Sequence, residues 1–189
     1  ATALPLLRGI CAEHPNSIGR LLYAKEMLNL AESFDVPEYI HYSYMEIGIA
    51  YRIQGNLAES SRSLFQALEY AQKLNDPKKI GESYGEISTS FASQGDTKNA
   101  VNYINQAIDI VRQENDSLNL CIALFNTGYD YRTMGRTDSA LLYYAEAESI
   151  AKNSSLKAKD KASVLAYIRG NRGITQGAIG LYDEAVASI

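Results

Sequence analysis

A protein that does chemistry needs a nucleophile, a proton carrier or a metal ligand, and this chain offers few of each. Its two histidines, His14 and His41, and its two cysteines, Cys11 and Cys121, are the side chains that a reaction near neutral pH would use first. The cysteines lack the close spacing of a metal knuckle or a redox Cys-x-x-Cys, so they read as small buried hydrophobes and decide no compartment. The histidines stand far apart in sequence, which makes a metal set or a Ser/His triad hard to assemble, and they read as surface or capping residues. Glu46 and Glu86 recur at one interval, 86 − 46 = 40, with no histidine or nucleophile beside either. No phosphate-cradling G-x-x-x-x-G-K-[ST] or G-x-G-x-x-G stretch occurs. The expectation is a protein that is not an enzyme, with no catalytic residue, no metal and no cofactor.

The bulk composition narrows the partners. The 189 residues are 46% hydrophobic and 21% charged, enough apolar material for a continuous core. The net charge is −4 and the lysines and arginines are scattered, which leaves no electrostatic footprint for direct binding of nucleic acid or anionic lipid. No apolar run approaches the roughly 20 residues of a membrane-spanning helix, so no membrane insertion by this segment is expected.

What recurs instead is structure. Gly55, Gly95 and Gly135 are spaced by 95 − 55 = 40 and 135 − 95 = 40. Seven residues before each stand Gly48, Ser88 and Gly128, all small; four before stand Tyr51, Phe91 and Tyr131, all aromatic. Five after come Ser60, Ala100 and Ala140, and twelve after come Ala67, Ala107 and Ala147. The pattern returns late at Gly173, Gly180 and Ala185, since 180 − 135 = 45, with a five-residue insertion expected in NSSLKAKD, 153–160. The division that follows is a partial unit over 1–36 and repeats over about 37–76, 77–116, 117–157 and 158–189, the last incomplete, in one domain spanning 1–189.

Within a unit the apolar period is helical. Tyr44, Ile47, Gly48 and Tyr51 follow i, i+3, i+4, i+7, and Ser60, Leu64, Ala67 and Ala71 do the same on the next segment. The glycine between them suits a C-cap of positive φ, followed by Asn56, Asp96 or Thr137 as N-cap. Pro37 and Pro77 suit a first helical turn, with Asp76 as a cap beside the second. A small residue in the first helix and an alanine in the second let two backbones approach, while the aromatic fills the space between neighbouring hairpins. A lone hairpin cannot bury both stripes, so the expected fold is all-α, an α-solenoid of stacked antiparallel helix hairpins.

These residues resemble the tetratricopeptide repeat family, whose pattern wants a large residue at position 4, apolar at 7, small at 8, aromatic at 11, then small, large and small at 20, 24 and 27. The third complete unit reads Leu124, Thr127, Gly128, Tyr131, Ala140, Tyr144 and Ala147, departing only at Thr127. The two before it read Tyr44, Ile47, Gly48, Tyr51, Ser60, Leu64, Ala67 and Tyr84, Ile87, Ser88, Phe91, Ala100, Ile104, Ala107. The fourth departs with Arg169 and Arg172 at apolar positions and Gln176 at the aromatic one. The repeat is longer than the family's usual length of about 34 residues, closer to the long-helix variants of kinesin light chains and of peptide receptors in Gram-positive bacteria.

The resemblance implies a right-handed α-solenoid with a concave groove lined by the first helix of each hairpin, receiving a protein or peptide. Helical geometry puts positions 2, 5, 6, 9, 12 and 13 on the remaining faces, most of them toward that groove, when 4, 7, 8 and 11 are buried. The candidate partner-binding residues are Tyr42, Met45, Glu46, Ile49 and Arg52 in the first complete unit, Glu86 and Thr89 in the second, Phe125, Asn126, Tyr129 and Arg132 in the third, and Tyr167 and Asn171 in the fourth. Position 5 alternates Met45, Gly85, Phe125, Gly170, which predicts ridges at the first and third units and hollows at the second and fourth. Asn126 and Asn171 fit two roles, clamping a partner's backbone with one amide or standing as polar residues on a wet face. Tyr42 and Tyr129 fit contact or packing, and Arg52 and Arg132 a carboxylate clamp or plain solvation. The lysine of the chaperone-tail clamp is absent from position 5.

Two further expectations concern assembly and setting. The apolar stripe Leu181, Ala185, Ile189 has no polar helix to cover it, so either sequence follows in a larger protein from which this domain is excised or the ends pair as a homodimer. The abrupt ATALPLL start fits removal of an export signal or a cloning boundary. Tyrosine-rich arrays of this length are also similar to sensor segments that precede the membrane anchor of some bacterial signalling regulators. That likeness implies an extracytoplasmic, periplasmic setting, with the cytoplasm as the alternative.

Overall fold

The computed structural model describes residues 3–113 and 116–188. Among the described residues there are ten helices and no strand: α1 Ala3–Glu13, α2 Ser17–Ser33, α3 Pro37–Ile53, α4 Leu57–Lys73, α5 Pro77–Ser93, α6 Thr97–Gln113, α7 Ser117–Thr133, α8 Thr137–Asn153, α9 Ala158–Ala178 and α10 Tyr182–Ser188. The helices gather into two compact units, Ala1–Ile110 and Val111–Ile189. In the first, α1 packs on α2, α2 on α3, α3 on α4 and α4 on α5; in the second, α7 packs on α8, α8 on α9 and α9 on α10.

The helix ends follow from the turn residues. At the turn inside each hairpin, Gly55, Gly95, Gly135 and Gly180 take φ of 79°, 76°, 73° and 82°, the left-handed region that costs a side chain-bearing residue energy. Each closes the preceding helix with paired bonds, as where Asn56 N–H donates to the Tyr51 carbonyl (2.9 Å) and Gly55 N–H to Arg52 (3.0 Å). The turns between hairpins repeat these bonds with Asp35 and Asn75 at φ of 48° and 50°, residue types that tolerate this region. Pro37 and Pro77 open α3 and α5. Asp76 and Asp96 cap as expected, accepting from the backbone N–H of Lys79 (3.2 Å) and Asn99 (3.1 Å). Asn56 makes no side-chain cap bond and Thr137 is already the first helical residue, with Arg136 at the cap.

The small residues mark where backbones meet. A Cβ built on Gly48 would lie 2.6 Å from Leu64 Cγ, and one on Gly128 would lie 2.6 Å from Tyr144 Cε1. Those same Cβ positions would fall 3.3 Å and 3.2 Å from the carbonyls of Ser60 and Ala140. In the unit between them Ser88 uses the approach differently, donating its hydroxyl to the corresponding Ala100 carbonyl at 2.8 Å. One close helix contact is thus reached by two residue types.

The structure fills in the fourth repeat and corrects the reading of His41. The five extra residues of the fourth repeat fall in two places: α9 has 21 residues where its counterparts have 17, which accounts for four, and the connection 154–157 is one longer than 74–76. Arg169 and Arg172 are accommodated because Glu148, buried on α8, accepts hydrogen bonds from both and pairs with Lys152 at 2.8 Å. Burial would raise the Glu148 carboxyl, but bonds from Lys152 and Arg169 and the charge of Arg172 override it and hold it below its ordinary value. His41 is no surface residue: it is 3% exposed, with Nε2 3.1 Å from Ser83 Oγ. Ser83 gives its own hydrogen to the Lys79 carbonyl at 2.8 Å, so His41 is the donor, a neutral imidazole protonated at Nε2. The stripe residue Ile189 lies outside the described residues, while Leu181 is exposed. Cys11 and Cys121 are buried free thiols, and burial pushes Cys11 up to about 11.

Candidate functional site

The first helices of the hairpins are α1, α3, α5, α7 and α9, and within each unit they neighbour one another: α1 meets α3, α3 meets α5, and α7 meets α9. Positions not spent on the second helix of a hairpin therefore share one face within a unit.

In the first unit this face is largely satisfied internally. Met45 and Glu46, expected to face a partner, are 9% and 8% exposed. Met45 joins the core cluster of Leu64, Ala67 and Ile87, with Ser83 Oγ 3.7 Å from its sulfur, so the ridge predicted there is absent. Glu46 sits with Arg20 Nε 3.1 Å from Oε2, but the Nε–H is directed at the Cys11 carbonyl 3.3 Å away. Burial raises the Glu46 carboxyl above its ordinary range, against the charge of Arg20 that lowers it. Arg52 and Glu86 bond each other at 2.9 Å and so tie α3 to α5. Arg8 lies 4.6 Å over the Tyr42 ring. Ile49 and Thr89 are half-buried, and Thr89 bonds back to Gly85 in its own helix. These residues pack the unit, because long polar side chains on adjacent first helices meet before they reach solvent.

The second unit presents a different surface. Tyr167 is 68% exposed and Ile174 60%, and Ile122, Asn126 and Tyr129 are exposed as well. Arg132 stacks its guanidinium 4.8 Å over the Tyr129 ring, holding both on one side of α7. Asn171 donates its amide to the Tyr167 carbonyl at 3.1 Å, which commits the donor half of that side chain to its own helix. Phe125 lies with its ring centre 6.0 Å from Tyr144 and 6.2 Å from Tyr167. Phe125, Asn126 and Tyr167 thereby meet in one hollow of about 410 Å³ between α7 and α9. Ile122 belongs to the same wall, and sequence reasoning missed Leu118, Asp160, Ser163 and Val164, because they stand in the opening turns of the helices, before the motif positions begin. The signal was present as apolar Leu118 and Val164 outside the buried stripe.

Cβ atoms added to Gly85 and Gly170 would meet nothing within 4 Å, while the hollow between α7 and α9 is lined by neither glycine. Among the described residues no group of three His, Cys, Asp or Glu side chains is placed to hold a metal ion, and no helix is long and apolar enough to cross a membrane.

Helical hairpins with a glycine turn, a small residue at each helix crossing and an exposed face of first helices define a helical-repeat scaffold. The chain belongs to the tetratricopeptide repeat family, whose sequence pattern matches residues 39–113 and 82–153. Its 40-residue period makes it a long-repeat member. No curated protein matches it in sequence. Among solved structures it is similar to BtubC (BKLC) from P. vanneervenii, at 15% identity and a TM-score of 0.73, covering 98% of this chain and 75% of that one. It is also similar to the nearly identical TPR-like repeats of a Podosopora anserina kinesin light chain-like protein, at 15% identity and a TM-score of 0.75, covering 99% and 90%. A Rap protein complexed with Competence and Sporulation Factor matches at 17% identity and a TM-score of 0.65, covering 91% of this chain and 57% of that one. At these identities the likeness is one of fold.

Proposed function

We propose that the chain is a non-catalytic scaffold that binds a protein or peptide on the first-helix face of its second unit. The observation that carries this reading is the run of exposed apolar and aromatic side chains on α7 and α9, Ile122, Tyr129, Tyr167 and Ile174, interleaved with the exposed amide of Asn126. Exposed aromatics ringed by polar groups are what interfaces use as anchors. Asn126 can both donate to and accept from a partner's backbone. The Rap protein solved with a factor bound has the same fold, which supports the binding role without naming a ligand. A sensor or interaction segment of a bacterial signalling regulator is the setting we propose.

The reading is tested by capture. A partner recovered by the native chain should be lost by the Asn126→Ala/Tyr129→Ala double variant while helix content is unchanged; equal recovery would reject this face.

A second reading is self-assembly through α10, where Tyr182 and Val186 are exposed beside Leu181. Light scattering showing a dimer that Val186→Asp dissociates would favour it, and a concentration-independent monomer would count against it.

A further inference from the structure

The repeat register supplies a control inside the chain itself. Adding 40 + 40 = 80 to Glu38 and Tyr42 gives Leu118 and Ile122; adding 40 + 45 = 85 to Lys78, Lys79 and Glu82 gives Ser163, Val164 and Tyr167. The first set, with Arg8, His41 and Tyr39, lines a hollow of about 410 Å³ in the first unit. The second set lines the hollow of about 410 Å³ in the second. Two hollows of one size thus stand at one register, and their chemistry is opposite. Glu38, Lys78, Lys79 and Glu82 show that α3 can neighbour α5 with charged side chains at these places. Leu118, Val164 and Tyr167 are therefore not required by helix stacking, and leaving such side chains at a hollow has a cost in water that stacking does not repay. Among the described residues lining the second hollow, Asp160 is the one charged side chain, and Asn126 is a further polar one.

Resting on the binding reading above, we propose that the hollow between α7 and α9 is an anchor pocket for one bulky aliphatic or aromatic side chain of a partner peptide, flanked in that peptide by a lysine or arginine that faces Asp160. The volume lies within the range of about 300–1,000 Å³ usual for ligand pockets and admits one large side chain with the backbone that carries it. Phe125 and Tyr167, in tilted contact at a centre-to-centre distance of 6.2 Å, give that side chain one aromatic wall. Asp160 sets the sign of the neighbour by charge complementarity. Asn126, whose counterpart in the first unit is the buried Glu46 (46 + 80 = 126), stands where the peptide backbone would run.

The experiment is selection from a displayed library of random dodecapeptides on the native chain, followed by fluorescence anisotropy on an enriched sequence. The expected pool shares a large apolar residue next to a lysine or arginine. Replacing that apolar residue by alanine should weaken binding at least about tenfold, and Leu118→Glu/Tyr167→Glu should do the same. Those glutamates are what the first unit carries at this register, so the variant should keep its helix content; Ile122→Ala, which trims an exposed side chain, carries the same test should it unfold. Asp160→Asn should remove the preference for the base. Enriched peptides that lack the apolar residue, or whose binding survives Leu118→Glu/Tyr167→Glu yet is lost with Asn126→Ala/Tyr129→Ala, would overturn the pocket and leave the binding face standing. A library that yields no peptide would overturn both.

Discussion

Gly128 and Gly170 lie in the interiors of neighbouring first helices of the second unit, and the structure assigns opposite signs to the same substitution at the two. Alanine in place of glycine inside a helix gains roughly 0.5–1 kcal/mol, because it restricts the unfolded chain. At Gly170 nothing stands within 4 Å of the added methyl, so Gly170→Ala should collect that gain. At Gly128 the methyl would sit 2.6 Å and 2.8 Å from two ring carbons of Tyr144, a side chain with no exposed surface, and 3.2 Å from the Ala140 carbonyl. Neither the buried ring nor the helix backbone can yield without repacking, which costs about 1–3 kcal/mol. Both variants share the propensity gain, so their difference isolates the clash. Urea unfolding followed by circular dichroism should place Gly128→Ala about 1–3 kcal/mol below Gly170→Ala with similar slopes. Equal stabilities would refute the argument that the small residue exists to bring the two helices together.

Other tests follow from the same geometry. Burial, then the charge of Lys79, pushes His41 down to about 4. Its unfolded value is about 6.5, so between these the unfolded chain binds the extra proton and stability falls as pH drops, by about 3 kcal/mol at most. His41→Asn should flatten the dependence of the urea midpoint on pH across that window; an unchanged slope would remove His41 as its source. Glu148→Gln takes the charge from a buried acceptor of two arginines and should cost about 1–3 kcal/mol in thermal or urea unfolding. Because the Glu148 carboxyl is held low in the fold, its contribution is present above the usual carboxylate range and lost as pH falls through it, so the variant should lose less at acid pH. Ser88→Ala removes the bond to the Ala100 carbonyl and should cost about 0.5–1.5 kcal/mol by the same unfolding measurement.

The fold was legible because each signal acts locally and is repeated. Gly55, Gly95 and Gly135 announce left-handed turns that the backbone adopts, and Gly48, Ser88 and Gly128 announce close helix contacts that their surroundings demand. Repetition turned weak local preferences into one consistent pattern. The site was legible only in part, because helical geometry places a side chain on a face without saying how far it reaches. Met45 and Glu46 occupy face positions, yet one bends into the core and the other meets Arg20 from the preceding hairpin. Arg52 and Glu86 each looked like a groove charge, and their pairing across two helices could not be read from either stretch alone. His41 looked like surface because its partner, Ser83, lies 42 residues away. Leu118, Asp160 and Val164 escaped notice for the opposite reason, since the motif positions give no weight to the opening turns of a helix.

The most direct test of the binding account is nuclear magnetic resonance of the isotope-labelled chain titrated with a selected peptide. The account predicts that shift changes concentrate at Ile122, Phe125, Asn126, Tyr129 and Tyr167 on α7 and α9. Changes confined to α8, or to Leu181 and the helix α10 that follows it, would contradict it.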